Sequence, residues 1–344
     1  MSEEVKKSEI LFLYESSYNI PNGDPFTGEQ RYDEETKKIL VSDVRMKRYV
    51  RTYLEDIKEV PIYVSEKTGA GKTDSKGVLT WIAQNRNKKK LNDIGEILKE
   101  QIDVRLFGGI STLKDDETKA IKVNNKPCIN GHVQFTGPVQ FALLNPSLNE
   151  VNLRMHQNTT HFTSKAENTQ GSIGTTTLVP YALIQIHGWV NPKIAETTGM
   201  TTDDLKLMYE GLWYGTSGDG SSHSRSKVGQ NSVLLLEIVY SQPNQKIYGV
   251  DRLITLIPKD GKKGEQLRSM DDYDLNFDKL IEIAKSDKVS RIGFYTEIEA
   301  IENLFKIQDN DKEGETVKED LKWKEKFKKI EFSDKKSDDI KNEK

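Results

Sequence analysis

Val41-Ser-Asp-Val-Arg-Met-Lys-Arg-Tyr-Val-Arg-Thr-Tyr-Leu54 is the stretch that decides the fold, because it predicts an amphipathic helix. Ser42 can accept a hydrogen bond from a free N–H of the first turn, and Asp43 suits the positive end of the helix dipole. At about 100° per residue the apolar positions form one stripe, which contains Met46, Tyr49, Val50, Tyr53 and Ile57. The stripe predicts that one side of this helix packs on a sheet.

The other side of the predicted helix is basic. Lys47, Arg48 and Arg51 point away from the apolar stripe, and Arg45 lies at its flank. Residues 37–51 contain six basic residues and one acid, whereas the whole chain is slightly acidic. This segregation favours a helix that binds a polyanion. The alternative is an ordinary amphipathic helix with a solvated basic face, and the helix alone does not decide between the two.

Composition limits the classes of function. The 344 residues include 51 basic and 54 acidic side chains, so a nucleic-acid partner must be argued from local patches and not from net charge. A single cysteine, Cys128, excludes internal disulfides and a cysteine-based zinc site, and indicates a reducing compartment. The apolar run Ile10–Tyr14 is too short for a signal or membrane segment. We expect a soluble, cytoplasmic protein with no membrane partner, no metal and no cofactor.

The order of predicted elements indicates the fold class. A buried strand at Ile10–Tyr14 precedes the basic helix, and strands around Val133–Phe141 and Leu178–Val190 follow it. A helix from Thr202 to Trp213 and a strand at Val233–Tyr240 complete the series. This βαββαβ order predicts an α+β, ferredoxin-like or RRM-like fold with helices on one face of an antiparallel sheet. No aromatic RNP string occurs on the strands, so base stacking on the sheet is not predicted.

Three segments interrupt or extend this predicted core. Residues 58–102, with a strand-like Val60–Val64 and a helical pattern near Leu91–Leu98, form an insertion. Residues 146–177 are rich in Asn, Thr, Gln and Ser, which fits either a projecting β-hairpin or a floppy surface loop. Residues 309–344 contain 23 charged residues in 36, which predicts a mobile or helical solvated tail with a short helix around Trp323–Ile330. The core then consists of 8–57, 103–145 and 178–300.

Two further features could add to a polyanion site. The loop Ser222–Gln230 combines glycine and serine residues with Arg225 and Lys227, and such a loop can offer backbone N–H groups and charge to a phosphate. Arg105 lies beside the paired glycines of Phe107-Gly-Gly109, where we expect a close backbone approach. Together with the basic helix, these features favour binding to a nucleic-acid backbone.

Two enzymatic alternatives are visible in the sequence. Glu66-Lys-Thr-Gly-Ala-Gly-Lys-Thr73 differs by one residue from the phosphate-loop pattern, but Glu66 replaces the first required glycine. Asp24 or Asp33, in the loop after the first strand, could position a ribose hydroxyl or a metal for RNA cleavage. Neither has an evident partner acid, and most turn aspartates only accept hydrogen bonds from their own backbone. RNA cleavage that uses one of these aspartates therefore stays open as the second hypothesis.

Several motifs resemble the backbone subunit of CRISPR Cascade complexes, a member of the RAMP superfamily. Val41–Arg51 resembles its Ser-x-x-x-Lys-Arg helix, and Asn19-Ile-Pro-Asn-Gly-Asp-Pro25 with Leu40–Arg45 resembles the type I-B and I-C versions, of which we favour I-B. The resemblance spans about residues 8–300. It also includes Arg105-Leu-Phe-Gly108, Thr136–Phe141, Gly171–Ala182 and Arg225-Ser-Lys-Val-Gly-Gln230.

The resemblance implies a non-catalytic protein shaped like a hand, with an RRM-like palm, helical fingers at 58–102 and a hairpin thumb at 146–177. Copies would polymerise along a CRISPR RNA, contact other Cascade subunits and present the guide for pairing with target DNA, so that base pairing reads the sequence. A thumb residue such as Met155 would wedge between bases. For the second hypothesis, the resemblance implies a guide-dependent endoribonuclease of a type III-like effector, with Asp24 or Asp33 as the catalytic residue. The implied RNA-binding residues are Ser42, Arg45, Lys47, Arg48, Arg51, Arg105, Met155, Arg225, Lys227 and Gln230.

Overall fold

A computed structural model describes residues 4–65, 75–87, 89–159, 173–217, 226–313 and 316–332. The helices are α1 (Asp43–Asp56), α2 (Ser75–Asn85), α3 (Ile94–Lys99), α4 (Ile102–Phe107), α5 (Asp115–Ala120), α6 (Pro192–Thr198), α7 (Thr202–Thr216), α8 (Asp278–Lys285) and α9 (Glu299–Phe305). The longer strands are β1 (Ser8–Asn19), β11 (Ile173–Val190), β12 (Gln230–Tyr240) and β15 (Val289–Tyr295).

Shorter strands complete the sheets. They are β2 (Tyr32–Asp33), β3 (Lys38–Ser42), β4 (Gly108–Thr112), β5 (Lys122–Val123), β6 (Lys126–Pro127), β7 (His132–Thr136), β8 (Val139–Phe141), β9 (Leu144–Pro146), β10 (Arg154–Thr159), β13 (Thr255–Pro258), β14 (Tyr273–Asn276), β16 (Lys312–Glu313), β17 (Thr316–Val317) and β18 (Phe327–Lys329).

A mixed central sheet organises the molecule. Its strand order is β10-β11-β1-β12-β15-β18, and β8 also pairs with β11. Every pairing in it is antiparallel except that of β15 with β18. β1 lies between β11 and β12, with Leu11 opposite both His187 and Leu236. Because side chains alternate along a strand, β1 contributes apolar residues to both faces of the sheet.

Each face of the central sheet has its own apolar core. Ile10, Phe12 and Tyr14 pack with the buried stripe of α1 and with α7. Leu11 and Leu13 pack on the opposite face, with α8, α9 and residues 250–277. A third core packs residues of the insertion, such as Leu79 and Ile97, against residues that follow it, such as Cys128. α1 and α7 therefore form the layer on one face, as the apolar stripe of α1 predicts.

Two glycines of α7 allow α1 to lie close to it. A Cβ atom on Gly215 would stand 2.6 Å from the backbone oxygen of Tyr49 in α1. A Cβ atom on Gly211, one turn earlier, would lie 3.2 Å from Val50 Cγ1. Residues four apart lie on the same side of a helix, so these two glycines form one flat surface against α1.

Several local predictions are wrong. Val60–Val64 forms no strand, because Asp103 holds this segment by accepting hydrogen bonds from the N–H groups of Tyr63 and Val64. We expected Val133–Phe141 to form strand structure with a bulge at Gly137-Pro138, but these two residues join β7 to β8, which lie in different sheets. We also expected a strand at Val151–Met155 at the start of the arm, but only residues 154–155 belong to β10.

The C-terminal segment also differs from its prediction as a mobile tail. Residues 316–332 pack on the molecule: Trp323, Phe327 and Ile330 are buried, and β18 pairs with β15 at the sheet edge. The predicted helix around Trp323–Ile330 is a 3₁₀ helix at Glu319–Lys326 followed by this strand. The high charge of this segment led to the wrong prediction, because three apolar residues within it are buried in the fold. Residues 333–344 lie outside the described part of the chain.

The arm predicted at 146–177 begins as two paired strands. β10 pairs antiparallel with the start of β11, from Arg154 opposite Leu178 to Thr159 opposite Ile173. Residues 160–172, between these two strands, lie outside the described residues. The segment Glu66–Thr73, which resembles a phosphate loop, also lies outside them. In the ranges that the structure describes, no helix is long and apolar enough to cross a membrane.

Candidate nucleic-acid interface

The N-terminal turn of α1 is tied to the loop that follows β1. Ser42 caps the helix by accepting a hydrogen bond from Arg45 N at 3.4 Å. Its own N–H and hydroxyl both donate to Asn22 Oδ1, at 2.7 and 2.8 Å. With its hydroxyl engaged on both sides, Ser42 positions the turn that carries Arg45.

The loop before β12 is tied to the same end of β1. Ser17 N donates to Gly229 O and Ile20 N donates to Ser226 O, each at 2.9 Å. Asn19 Nδ2 donates to Val228 O at 2.9 Å. These bonds bring residues 226–230 beside the N-terminal turn of α1, although the two segments are far apart in sequence.

Arg45 and Lys227 lie close enough to interact electrostatically where these segments converge. The Arg45 guanidinium lies 4.3 Å from the centre of the Tyr49 ring, whose hydroxyl donates to Gln230 Oε1 at 2.9 Å. Lys227 Nζ donates to the backbone oxygen of Ile20, and only 8% of the Lys227 surface is exposed. Burial, and then the nearby Arg45 charge, lower the pKa of Lys227 to about 7. We call Arg45, Tyr49, Lys227 and Gln230 the cation cluster.

The cation cluster has the electrostatics of an anion site. Within the described ranges, neither Arg45 nor Lys227 pairs with a carboxylate, and Arg45 Nε is buried without a hydrogen-bond partner. Two like charges held together raise each other's free energy, and an anion placed between them would lower it. A phosphate group would supply the negative charge that both side chains lack and an acceptor oxygen for Arg45 Nε.

Three other predicted RNA-binding cations are engaged in ion pairs within the protein. Arg51 Nε lies 2.9 Å from Asp103 Oδ2, and the Asp103 side chain is fully buried. Lys47 Nζ lies 3.2 Å from Asp43 Oδ2, and it donates to Gln140 Oε1 at 3.3 Å.

Arg105 makes the third of these ion pairs. It forms a two-pronged contact with Asp204 in α7, at 2.8 and 2.6 Å. Its guanidinium also donates to the backbone oxygens of Lys99, the last residue of α3, and of Glu100. A phosphate ligand would have to break these bonds, so we assign Arg105 a structural role instead of the expected RNA contact.

The remaining predicted site residues lie elsewhere. Arg48 is half-buried on the polar side of α1. Met155 lies on β10, and its side chain is 74% exposed. Arg225 lies outside the described residues. The structure thus brings together Ser42, Arg45, Lys227 and Gln230 but gives Lys47, Arg51 and Arg105 acidic partners that sequence reasoning missed.

Asn19 and Asn22 position the segments of the candidate site, and the sequence prediction did not select them. Both lie in the Asn-Ile-Pro-Asn motif, and both use side-chain amides to connect the loop after β1 to α1 or to residues 226–230. The signal was present, because asparagine in a turn-rich loop often bonds to backbone groups. Its partners, however, are 20 and 209 residues away in the chain.

The two candidate catalytic aspartates close their own turns. Asp24 Oδ1 accepts from Phe26 N at 2.9 Å, and this bond lowers the pKa of Asp24. Asp33 Oδ2 accepts from the Thr36 hydroxyl at 2.6 Å, and this bond lowers the pKa of Asp33. In the described ranges no group of three or more His, Cys, Asp or Glu side chains could hold a metal ion.

Comparisons with known proteins agree with the motifs. The family described as CRISPR-associated protein Cas7 matches residues 6–278. A CRISPR-associated protein Cas7 from Haloferax volcanii is 29% identical over 289 residues, covering 81% of this chain and 82% of the relative.

Two solved structures are also similar to the chain. A chain of a CRISPR RNA-guided surveillance complex, pre-nicking, aligns with a TM-score of 0.45 at 13% identity, covering 85% of this chain and 93% of that one. A chain of another CRISPR RNA-guided surveillance complex gives 0.47 at 15% identity, covering 85% and 90%. Because the family match itself spans well over half of the sequence, the chain belongs to the Cas7 family of CRISPR-associated proteins.

Proposed function

We propose that this protein is a non-catalytic, CRISPR RNA-binding backbone subunit of a Cascade surveillance complex, and that the complex is of type I-B. The observation that carries this proposal is the cation cluster, in which Arg45 and Lys227 have no carboxylate partner in the described residues. Membership of the Cas7 family supports it. The expected partners are the CRISPR RNA, further copies of the chain, other Cascade subunits and, through the guide, target DNA. The expected location is the cytoplasm.

In this proposal the central sheet is an RRM-like palm. Strands β8, β11, β1 and β12 lie side by side in that order, all antiparallel, with α1 and α7 on one face. This arrangement supports a ferredoxin-like core that starts with β1 and ends with β12. Residues 58–102 would be the fingers and 146–177 the thumb. The cation cluster lies at the end of β1 from which the thumb strands also extend.

The thumb would connect neighbouring copies. A head-to-tail contact between identical subunits generates a helical filament when its rotation does not close. Met155 is exposed on β10 and would wedge between bases of the guide, at a cost of a few kcal/mol for unstacking. Deleting Asn158–Gln170 should spare much of the single-site RNA affinity and abolish cooperative assembly and periodic nuclease protection.

Salt dependence tests the proposed RNA contacts. Each phosphate contact adds about 0.7 to the slope of log affinity against log salt for a single strand. Arg45→Ala should flatten the slope by about that amount for RNAs of unrelated sequence. Lys193→Ala, in an exposed pair with Glu196 on α6, is the matched control and should change nothing. An Arg45→Ala slope equal to that of the unaltered protein would contradict the proposal.

A cleavage assay separates this proposal from the endoribonuclease alternative. RNA-loaded protein should leave a complementary labelled RNA intact in the presence of Mg²⁺, because Asp24 and Asp33 are used to close turns. Cleavage at regular intervals that is lost in Asp24→Ala or Asp33→Ala would establish the alternative.

A further inference from the structure

Tyr18 has an unusual backbone conformation at the end of β1. Its φ is 50°, in the left-handed region that bulky residues rarely occupy. Its side chain is 61% exposed, so the ring gains little from packing in the core. Glycine or asparagine would adopt this backbone with less strain. The fold therefore does not require a tyrosine at this position.

Contacts on both sides of Tyr18 impose the conformation. Ser17 N and Ile20 N donate to Gly229 O and Ser226 O, which fixes the residues before and after it. On the other side, the register with β11 passes from Ser17 opposite Tyr181 to Asn19 opposite Val179. Tyr18 thus faces Pro180, which has no N–H to donate to the ladder. The result is an aromatic ring presented to solvent by a rigid frame.

The frame that holds Tyr18 is the same one that carries the cation cluster. Asn19, the next residue, donates to Val228 O, and Lys227 donates to the backbone oxygen of Ile20. Tyr18 is therefore two residues from Ile20, whose backbone oxygen accepts a hydrogen bond from Lys227. Strained residues persist where the surroundings determine them, and they cluster at ligand sites.

We propose that Tyr18 is a stacking platform for a nucleobase of the RNA whose phosphates the cation cluster holds. This inference rests on the proposed function and adds a contact that does not depend on charge. Every base has a π-face, so stacking on one tyrosine tolerates any guide sequence. A subunit that repeats along a guide of arbitrary sequence needs contacts of this kind.

The test measures binding to a single-stranded RNA of mixed sequence that contains 2-aminopurine. Stacking on an aromatic ring is worth roughly 5- to 150-fold in affinity per base. Tyr18→Ala should weaken binding by at least about 5-fold and reduce the quenching of 2-aminopurine, whereas Tyr18→Phe should retain both. Tyr248→Ala is the control. It removes an 84% exposed tyrosine next to residues 250–277, which cover the other face of the sheet, and it should change neither RNA affinity nor quenching.

A base-free polyanion isolates the stacking contact. Inorganic polyphosphate should bind Tyr18→Ala as well as the unaltered protein, because it offers charge without bases. RNA affinity that is unchanged in Tyr18→Ala while Arg45→Ala loses affinity would overturn the stacking inference alone. Failure of the unaltered protein to bind RNA would overturn the proposed function as well. Loss of assembly without loss of RNA affinity would assign the ring to a protein contact and also overturn the inference.

Stability provides an independent readout. Tyr18→Gly should leave the urea midpoint unchanged or raise it, because glycine adopts positive φ without strain, and it should still lose RNA affinity. A lowered midpoint together with unchanged RNA affinity would show that the ring supports the fold instead of binding RNA.

Discussion

Asp103 connects α4 to α1 and to residues 63–64. Substitution of Asp103 or of its partner Arg51 should show whether Arg51 stabilises the fold or binds RNA. Its buried carboxylate accepts from Arg51 Nε at 2.9 Å and from the N–H groups of Tyr63 and Val64 at 2.6 and 3.1 Å. Arg51→Ala leaves this carboxylate with two of its three donors. Breaking a buried ion pair by removing one partner typically costs about 3–5 kcal/mol. Since two donors stay, we expect about 3 kcal/mol.

Asp103→Ala should cost more, because two backbone N–H groups and Arg51 lose their acceptor together. At about 1–3 kcal/mol for each of the three donors, the expected loss is about 3–9 kcal/mol. Urea denaturation measures both losses, and hydrogen exchange at Tyr63 and Val64 tests whether the start of the insertion opens first.

The same variants decide whether Arg51 contacts RNA. Arg51 is already paired in the free protein, so Arg51→Ala should leave the salt slope of RNA binding unchanged once folding is complete. Arg45→Ala, which removes an unpaired cation, is the matched comparison and should flatten it. A flattened slope with undiminished stability in Arg51→Ala would refute the structural assignment and restore the contact expected from the sequence.

Three further predictions follow from individual contacts. RNA affinity should fall as pH rises through about 7, because only protonated Lys227 carries the charge that attracts a phosphate. Lys227→Arg should remove this pH dependence, which binding measurements between pH 6 and 9 would show. Gly215→Ala should destabilise the protein by about 1–3 kcal/mol in urea, more than Gly211→Ala, because its Cβ would meet a backbone oxygen and not a side chain. Phe327→Ala should cost about 3–5 kcal/mol, since this ring is buried in the second core; an unchanged midpoint would mean that the C-terminal segment does not hold the sheet edge.

For Lys227 the same pKa shift has a consequence for folding. Its pKa is lower in the folded protein than in the unfolded chain, so the unfolded state binds more protons between pH 7 and about 10. The Lys227 contribution to stability should therefore rise with pH across this window. Comparison with Lys227→Met, whose side chain does not titrate, measures that contribution.

Much of the architecture could be predicted from the sequence, because it follows from local periodicity. The stripe of Met46, Tyr49, Val50 and Tyr53 predicts α1 and the side on which it packs, and its Ser42 cap is where the sequence indicates. Ile57 was wrongly included in this stripe, because the helix ends at Asp56 and the Ile57 side chain is exposed. The predicted buried strands lie within β1, β11 and β12. Val60–Val64 misled the prediction, because apolar β-branched residues also occur where a segment is anchored by one buried carboxylate.

The sequence by itself determined that the chain carries an excess of cations on and around α1, and that a sheet covers the other side of this helix. Only the tertiary structure decided which of those cations remain available to a ligand. Arg51 and Arg105 form ion pairs with Asp103 and Asp204, whereas Arg45 and Lys227 have no carboxylate partner in the described residues and repel each other electrostatically. The physical reason is that an ion pair forms between residues 52 and 99 positions apart, so no local pattern records it. Burial then stabilises these two ion pairs against exchange with a ligand, because a buried charge without its partner costs several kcal/mol.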